Sequence, residues 1–215
     1  MYKKKSFFIT FEGIEGSGKS YQSKILYKNI KKKGLPAILT REPGGSKSAE
    51  KIRKIILEDY FYKDVKIKFD KNTDTLLYLA ARNEHLINKI KPAINKKKII
   101  ICDRFIDSTF AYQVYGKKVD KRLVDSVHKH ILGTIKPDLT FVLKVNILKA
   151  LLRLKKRKKK NRYDKFSKNF YIKAQNAFIK IAKKNKKRYI IIDNSLDSKE
   201  TEKIILNKFV KFINI

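Results

Sequence analysis

The chain lacks several features that would place it in a specialised class of proteins. It has one cysteine in 215 residues, which excludes a disulfide framework and a cysteine-rich zinc module. Eight glycines and four prolines are too few for a collagen-like or low-complexity chain. No apolar run approaches 18 residues, and the acidic Glu12 directly follows the short run 7–11. We therefore expect a cytoplasmic protein without a membrane span or a secretory signal.

Acidic residues are scarce beside basic ones. The chain has 54 lysines and arginines against 20 aspartates and glutamates, a formal net charge of +34. Only 9 of the basic residues are arginine and 45 are lysine, spread along the chain in short runs. Lysine, isoleucine and asparagine are the residues that an A+T-rich coding sequence favours, and no nucleic-acid-binding motif accompanies them. We therefore expect no specific nucleic-acid partner, although the charge should concentrate small polyanions near the protein.

Short apolar segments alternate with segments of helical periodicity. Continuous apolar runs, typical of strands buried on both faces, predict an α/β fold with a parallel sheet covered by helices on both faces. No linker or repeat interrupts the pattern, so a single domain over 1–215 is expected. The predicted strands are 7–11, 36–40, 98–102, 139–143 and 189–193. The predicted helices are 19–33, 46–57, 73–90, 120–132, 147–160, 168–185 and a C-terminal helix, with 59–72 irregular.

A glycine-rich loop follows the first predicted strand and precedes the first helix. It fits G-x-x-x-x-G-K-[ST] at every required position and predicts a five-stranded sheet of the P-loop NTPase type. Glycines let backbone amides turn toward an anion, and the helix adds its positive N-terminal end. Lys19 is expected to reach the β- and γ-phosphates, and the Ser20 hydroxyl to hold Mg²⁺. The candidate ATP-binding residues are Gly13, Ile14, Glu15, Gly16, Ser17, Gly18, Lys19 and Ser20.

The P-loop alone is shared by nucleotide kinases, GTPases, motors and DNA-directed ATPases. The further segments TREPGG at 40–45, YLAAR at 78–82 and CDRFIDSTFAYQ at 102–113 narrow the choice. The guanine-reading motif N-K-x-D is not found, and a helicase is usually longer. With these motifs and the P-loop, the chain resembles the thymidylate kinase family nearly end to end.

The resemblance implies an ATP-dependent kinase that moves the γ-phosphoryl of ATP onto dTMP, giving dTDP and ADP for dTTP biosynthesis. It also implies Mg²⁺ and a homodimer. Two alternatives remain open. One is a kinase of another pyrimidine nucleotide or deoxynucleoside, and the other is a nucleic-acid-binding P-loop ATPase, which the charge of +34 suggests.

The resemblance further implies how the two phosphate groups are handled. Lys19 and the loop amides would bind ATP, while Ser20 and Asp103 would organise Mg²⁺, Asp103 at or near its water shell. Arg104 and Arg41 would bind the dTMP phosphate. Arginine suits this role because its planar fork grips two phosphate oxygens and stays charged. In a chain with so few arginines, their placement beside predicted strand ends is informative.

The remaining contacts implied by the resemblance concern the nucleoside of dTMP. Glu15 would meet the deoxyribose 3′-hydroxyl, and Tyr112 would pack beside the sugar. Tyr78 occupies the position where the family usually stacks a phenylalanine on thymine. The residues implied to read the thymine edge are Arg82, Ser108 and Gln113.

A strongly basic segment at about 150–166 resembles the mobile lid of these kinases. Arg153 and Arg157 are spaced by four within it. Because the P-loop interior has no arginine, the resemblance implies that the lid supplies the catalytic one, and Arg157 or Arg153 is expected to stabilise charge on the transferring phosphoryl. Asn161 departs from the aspartate usual in the family, and Asp164 stands for the usual glutamate. A lysine run that is merely solvated is the alternative for this segment.

Overall fold

A computed structural model describes residues 6–62, 65–157, 164, 166–195 and 199–213, with the backbone alone over 60–67. Its main feature is a five-stranded parallel sheet with the strand order β2-β5-β1-β6-β7. The P-loop NTPase-type α/β fold expected from the sequence is confirmed. The strands are β1 (Phe7–Glu12), β2 (Ala37–Arg41), β5 (Ile99–Asp103), β6 (Leu139–Lys144) and β7 (Tyr189–Asp193), with β3 (Tyr60–Tyr62) and β4 (Val65–Ile67) forming a separate antiparallel hairpin.

The strand register places the ends of three strands side by side. Phe11 of β1 lies opposite Asp103 of β5, and Asp103 lies opposite Arg41 of β2. Because the strands are parallel, the residues that follow them emerge at one edge of the sheet. This edge carries the P-loop after β1 and Arg104 after β5.

Helices cover both faces of the sheet. Side chains along β1 alternate between the two faces: Ile9 and Phe11 pack with Leu26 of α1 and Phe209 of α9, whereas Phe8 belongs to another core cluster. The helices are α1 (Lys19–Lys32), α2 (Lys47–Leu57), α3 (Lys71–His85), α4 (Lys91–Asn95), α5 (Ile106–Thr109), α6 (Lys121–Leu132), α7 (Ile147–Lys155), α8 (Lys168–Lys183) and α9 (Lys199–Ile213), with π-helical segments at Leu86–Ile90 and Phe110–Gly116.

Two predictions for the segments on either side of α3 are wrong. Part of the segment expected to be irregular forms the β3–β4 hairpin, because its aromatic and β-branched residues pair locally over two runs of three residues. The helix expected to end near Pro92 continues to Asn95. The π-helical segment before α4 changes the hydrogen-bond register and leaves Pro92 in the first turn of a new α-helix, where a missing N–H is tolerated.

The lid region is described only in part. Helix α7 ends at Lys155, five residues before the predicted end. Of the predicted lid at 150–166, residues 158–163 and 165, which include Asn161, lie outside the described residues. Within the described part of the chain, no helix has the length and apolar character needed to cross a bilayer.

Candidate active site

A cleft of about 350 Å³ opens at the carboxyl edge of the sheet. Its walls come from the P-loop, from the ends of β2 and β5, and from α3 and α7. Every predicted site residue lines it except Gly13, Ile14 and Ser17, which lie within the loop itself. The structure therefore brings together residues that the sequence spreads from 13 to 157.

The P-loop connects β1 to α1 through backbone conformations that need glycine. Gly13 has φ 137°, and a Cβ there would lie 2.5 Å from the carbonyl oxygen of Leu143. Gly18 has φ 92° and is the N-cap of α1, so the loop passes directly into the N-terminus of that helix. The local sequence thus builds a concave backbone that aims N–H groups and a helix dipole at one point.

Lys19 lies folded onto the P-loop. Its Nζ donates to the carbonyl oxygen of Ile14 at 2.6 Å and lies 3.4 Å from Ser17 Oγ. Burial, and then repulsion by the nearby Arg104, lowers the pKa of Lys19 to about 8. Since anionic phosphate oxygens favour the charged form, a bound polyphosphate would restore the full charge of this ammonium group.

Ser20 and Asp103 form a small oxygen-rich group at the same edge. The Ser20 hydroxyl donates a short hydrogen bond to Asp103 Oδ2. Asp103 Oδ1 is buried and has no hydrogen-bond partner in the part of the chain that the structure describes. A hydroxyl beside a carboxylate with a spare oxygen fits Mg²⁺, which prefers oxygen ligands and is bound by one or two carboxylates together with substrate phosphates.

Arg104 lies on the border between the P-loop and the rest of the cleft. Its guanidinium donates to Glu15 Oε1 at 2.7 Å, to the carbonyl oxygen of Gly13 at 2.9 Å and to Ser108 Oγ at 3.0 Å. Burial by itself lowers the pKa of Arg104, but Glu15 and its other acidic neighbours together outweigh burial and raise that pKa. Glu15 also accepts a short hydrogen bond from the Tyr112 hydroxyl. A permanent cation therefore lies next to the phosphate loop.

Two more arginines extend the positive wall of the cleft. Arg41 is 54% exposed and pairs with Glu50, its Nη2 lying 3.1 Å from Oε2. Arg53, which the sequence analysis did not single out, donates from Nη1 to the carbonyl oxygen of Pro43 at 2.5 Å. The scarcity of arginine is the signal that could have found Arg53, since no sequence motif marks its position on α2.

Arg82 is the most buried of the cleft arginines, with 3% exposure. It donates to Glu42, to Thr109 and to the carbonyl oxygen of Phe105, and its Nη1 lies 2.6 Å from His128 Nε2. Burial and the Arg82 charge lower the pKa of His128 to about 3, so this imidazole is neutral and accepts. Neither Glu42 nor His128 was assigned a role from the sequence.

The wall around Arg82 also carries the residues expected to meet the base. Tyr78 and Gln113 both line the cleft there. Gln113 is buried, and its Nε2 has no hydrogen-bond partner among the described residues. The structure thus leaves one buried amide donor without a described partner in a cleft that the Tyr78 ring also lines.

The lid arginines reach the cleft from α7 and from its C-terminal end. Arg153 donates to the carbonyl oxygen of Gly16 at 3.0 Å, which ties α7 to the P-loop. Arg157 pairs with Asp164, with Nη1–Oδ distances of 2.9 and 3.1 Å. Both arginines line the cleft, and Arg153 contacts the P-loop directly.

Arginine and lysine are distributed differently around this cleft. Six of the nine arginines line it, whereas Lys19 is the one lysine among its described lining residues, out of 45 in the chain. A composition bias would not place the rarer cation selectively at one site. This distribution indicates a site suited to anions, because a planar guanidinium can contact two oxygens of one anion.

A phosphate loop that faces an arginine-rich wall across one cleft defines the class of P-loop nucleotide kinases, because two polyanions must meet there. Comparison with known proteins narrows the class. A family model described as Thymidylate kinase matches residues 11–205. The chain is 39% identical over 201 residues to a thymidylate kinase of a Sulfurihydrogenibium species, covering 94% of this chain and 95% of the relative.

Two further comparisons agree. The thymidylate kinase of Wolbachia pipientis wMel is 44% identical over 189 residues, covering 86% of this chain and 89% of the relative. A crystal structure of thymidylate kinase from Ehrlichia chaffeensis superposes with a TM-score of 0.75 at 32% identity, covering 95% of this chain and 99% of that one. The chain belongs to the thymidylate kinase family. Its reaction is the ATP-dependent phosphorylation of dTMP to dTDP.

Proposed function

We propose that ATP binds on the P-loop side of the cleft and dTMP on the arginine-rich side, so that their phosphates meet head-on beside Arg104. The observation that carries this assignment is the contact of Arg104 with both sides: it donates to the P-loop carbonyl of Gly13 and to Ser108 after β5. A dTMP phosphate oxygen attacks the γ-phosphorus, and the bond to the β–γ bridging oxygen breaks. The acceptor phosphate is ionised near neutral pH, so no side chain needs to remove a proton from it.

The donor side is assigned to the P-loop residues. Backbone amides from Gly13 to Ser20 bind the ATP phosphates, and Lys19 leaves the Ile14 carbonyl to contact the β- and γ-phosphates. Ser20 and Asp103 hold Mg²⁺, and the unpartnered Asp103 oxygen supports this fit. When bound, the ion neutralises charge on the transferring phosphoryl.

The acceptor side is assigned to side chains from several elements. Arg104 and Arg41 bind the dTMP phosphate, together with Arg53 on the same wall. Their positions around one cleft support the assignment. A dTMP phosphate would take over guanidinium hydrogen bonds that now go to Glu15 and Glu50. Exchange of one anion for another leaves no buried cation unpaired.

The nucleoside of dTMP is assigned to the wall around Arg82. Glu15 and Tyr112 lie beside the deoxyribose, and Tyr78 stacks on thymine. Gln113 supplies a donor for a thymine carbonyl, which its unpartnered Nε2 supports. The three residues that read the thymine edge are then Arg82, Ser108 and Gln113.

The lid is assigned a catalytic role. Arg157 or Arg153 stabilises the charge on the phosphoryl group in flight, and the segment 150–166 closes over ATP to exclude water. Both arginines line the cleft and Arg153 contacts the Gly16 carbonyl oxygen, which supports this assignment. Arg157 must exchange Asp164 for phosphate oxygens when it acts.

We also propose that this single-domain kinase is a cytoplasmic homodimer. Apolar side chains on the adjoining helical segments α2, α3 and Leu86–Ile90 support self-association: Ile55, Leu76 and Ile87 are 40%, 47% and 48% exposed. Sedimentation equilibrium should give twice the mass of the chain. A Leu76→Lys variant that sediments at the same mass as the wild type would contradict a dimer through this face.

A coupled assay of ADP release tests the substrate assignment. The protein is supplied with ATP and with dTMP, dUMP, dCMP, dGMP or dAMP, and Lys19→Ala provides the background rate. The highest turnover is expected with dTMP. Turnover on a purine monophosphate, with none on dTMP, would contradict the assignment of dTMP as the substrate. ATP hydrolysis that nucleic acid stimulates, without transfer of phosphate to a nucleotide, would favour the ATPase alternative.

A further inference from the structure

Glu12 is a buried acidic residue to which the sequence motifs assign no role. It is the last residue of β1, directly before the P-loop, and it is 0% exposed. It does not line the cleft, so it cannot contact a substrate there. A carboxyl group at such a position has a large desolvation cost and must be held by hydrogen bonds.

Both carboxyl oxygens of Glu12 contact the segment that follows β5. Oε1 accepts from the backbone N–H of Phe105 at 2.7 Å, and Oε2 accepts from the Ser108 hydroxyl at 2.6 Å. These contacts span more than ninety residues of sequence. They tie the start of the phosphate loop to the turn that carries Arg104.

The backbone of that turn needs such support. Arg104 has φ 74°, a left-handed conformation that side chains other than glycine rarely adopt. Its own N–H donates to the carbonyl oxygen of Phe11 at 2.9 Å, and the next N–H, of Phe105, donates to Glu12. A strained conformation persists only where its surroundings fix it on several sides.

Ser108 provides a second route from Glu12 to the same guanidinium. Its hydroxyl donates to Glu12 Oε2 and accepts from Arg104 Nη1 at 3.0 Å. The hydrogen bond from the Phe105 N–H to Glu12 holds the backbone from which the Arg104 side chain extends. The hydrogen bonds through Ser108 hold the guanidinium at the other end of that side chain. Loss of the Glu12 carboxyl group would release both.

We propose that Glu12 is a positioning residue for the dTMP phosphate, which it serves by fixing the turn and the guanidinium of Arg104. The proposal rests on the assignment of Arg104 to the dTMP phosphate. Glu12 acts on the acceptor side although its position in the sequence adjoins the donor loop. Its loss should therefore impair the handling of dTMP more than that of ATP.

The neighbours of Glu12 favour a neutral carboxyl group. Burial, and then the nearby Asp107 carboxylate, raises the pKa of Glu12 to about 8. A glutamine side chain resembles the protonated form, since its oxygen can accept from Phe105 and its amide can donate to Ser108. Glu12→Gln should therefore retain the hydrogen bonds to Phe105 and Ser108, whereas Glu12→Ala loses both.

The test is steady-state kinetics on five variants of the full chain, three of which replace Glu12. For Glu12→Ala, the KM for dTMP should rise about tenfold while the KM for ATP stays within about twofold, because misplacement of a binding group affects the substrate it contacts. Glu12→Gln should stay within about threefold of the wild type for both substrates. Glu12→Asp, whose shorter side chain cannot reach both partners, should fall between them.

The matched control is Thr10→Val in the same strand. Thr10 is also 0% exposed, and its hydroxyl shares a 2.8 Å hydrogen bond with that of Thr140 on β6. It should lower the melting temperature without changing the KM for dTMP. The proposal is overturned if Thr10→Val raises that KM as Glu12→Ala does, or if Glu12→Ala raises both KM values equally.

Two further outcomes must be distinguished: failure of Glu12→Ala to fold, and failure of the acceptor-site assignment itself. If Glu12→Ala does not fold, Glu12→Asp decides, and equal effects on dTMP and ATP would again overturn the proposal. Arg104→Ala is measured in parallel. If Arg104→Ala has a normal KM for dTMP, the assignment of the acceptor site is refuted. If the KM for dTMP is raised in Arg104→Ala but unaltered in Glu12→Ala, only the role of Glu12 is refuted.

Discussion

The two halves of the cleft are built in different ways. The donor half, which we assign to ATP, is eight consecutive residues, 13–20, whose backbone is proposed to bind the phosphates. The acceptor half, which we assign to dTMP, is assembled from side chains on separate elements, among them Arg41 at the end of β2, Arg82 on α3 and Arg104 after β5. A binding surface made of consecutive backbone groups is determined by the local sequence. A binding surface made of side chains from separate elements forms only when the whole fold brings those side chains together.

The acceptor half is also a set of ion pairs. Arg104 pairs with Glu15, Arg82 with Glu42, and Arg41 with Glu50. Each carboxylate holds a guanidinium in place at the wall of the cleft. This difference predicts that substitutions can separate the two halves. Changes in the carboxylate network, which includes the side chain of Glu15, should act on dTMP, and changes in the loop backbone or at Lys19 should act on ATP.

The largest effect is expected at the donor half. Lys19→Ala removes the ammonium group assigned to the β- and γ-phosphates and should lower kcat by more than about 10³-fold. The measurement is ADP release at saturating ATP and dTMP. Lys24→Ala, an exposed lysine on the same helix, is the control and should retain activity. Substantial turnover by Lys19→Ala would show that the loop does not contact the transferred group.

Arg157→Ala tests whether the lid belongs to the donor half. Loss of a charge that contacts the phosphoryl only in the transition state should lower kcat by about 10²- to 10³-fold, with the KM for dTMP little changed. Lys156→Ala, an exposed neighbour, should be nearly neutral. Full activity of Arg157→Ala would mean that the lid assignment is wrong.

Arg104→Ala tests the acceptor half. Loss of a buried charged contact to the dTMP phosphate should raise the KM for dTMP by about 10²-fold and leave that for ATP within a few-fold. Arg122→Ala removes an exposed arginine as a control. If Arg104→Ala raised the KM values for dTMP and ATP equally, the division of the cleft into a donor half and an acceptor half would be contradicted.

The smallest expected effect is a pH dependence of stability that arises from Glu12. Its folded-state pKa of about 8 lies above the ordinary 4.5, so the native state keeps a proton that the unfolded chain has lost. This contribution is complete below pH 4.5 and is lost as the pH rises toward 8. The ionisable groups around Glu12 are Asp107, Arg104, Lys19, Cys102 and Tyr189.

Urea unfolding of Glu12→Gln and the wild type at pH 5, 6, 7 and 8 measures the contribution of Glu12. Glutamine does not titrate, so the free energy of unfolding of the variant relative to the wild type should grow with pH over this range. The same difference for Thr10→Val should stay constant. A constant difference for Glu12→Gln would contradict a raised pKa.

The contrast between the halves also explains what the sequence could predict. The five strands and the P-loop follow from apolar runs and from one contiguous motif, and the structure confirms the strands. The residues of the acceptor half were identified only through the resemblance to a family. Arg53 and Glu42 were missed as functional residues because their roles depend on contacts between segments that lie far apart in the sequence.

Buried polar residues were the least predictable part. In the sequence, Glu12 is only the residue that follows a predicted strand, and no motif gives His85 or His128 a function. In the structure, His85 contacts Thr40 and Glu42, and His128 contacts Arg82. No local pattern marks such residues, because only the packed fold brings their partners within hydrogen-bond distance.

The most direct test is a crystal structure with dTMP and a non-hydrolysable ATP analogue bound together. The account predicts the analogue's β- and γ-phosphates against the amides of residues 13–20, with the dTMP phosphate on Arg104 and pointing at the γ-phosphorus. A dTMP phosphate bound away from Arg104, or phosphates of the two ligands on different edges of the sheet, would contradict it.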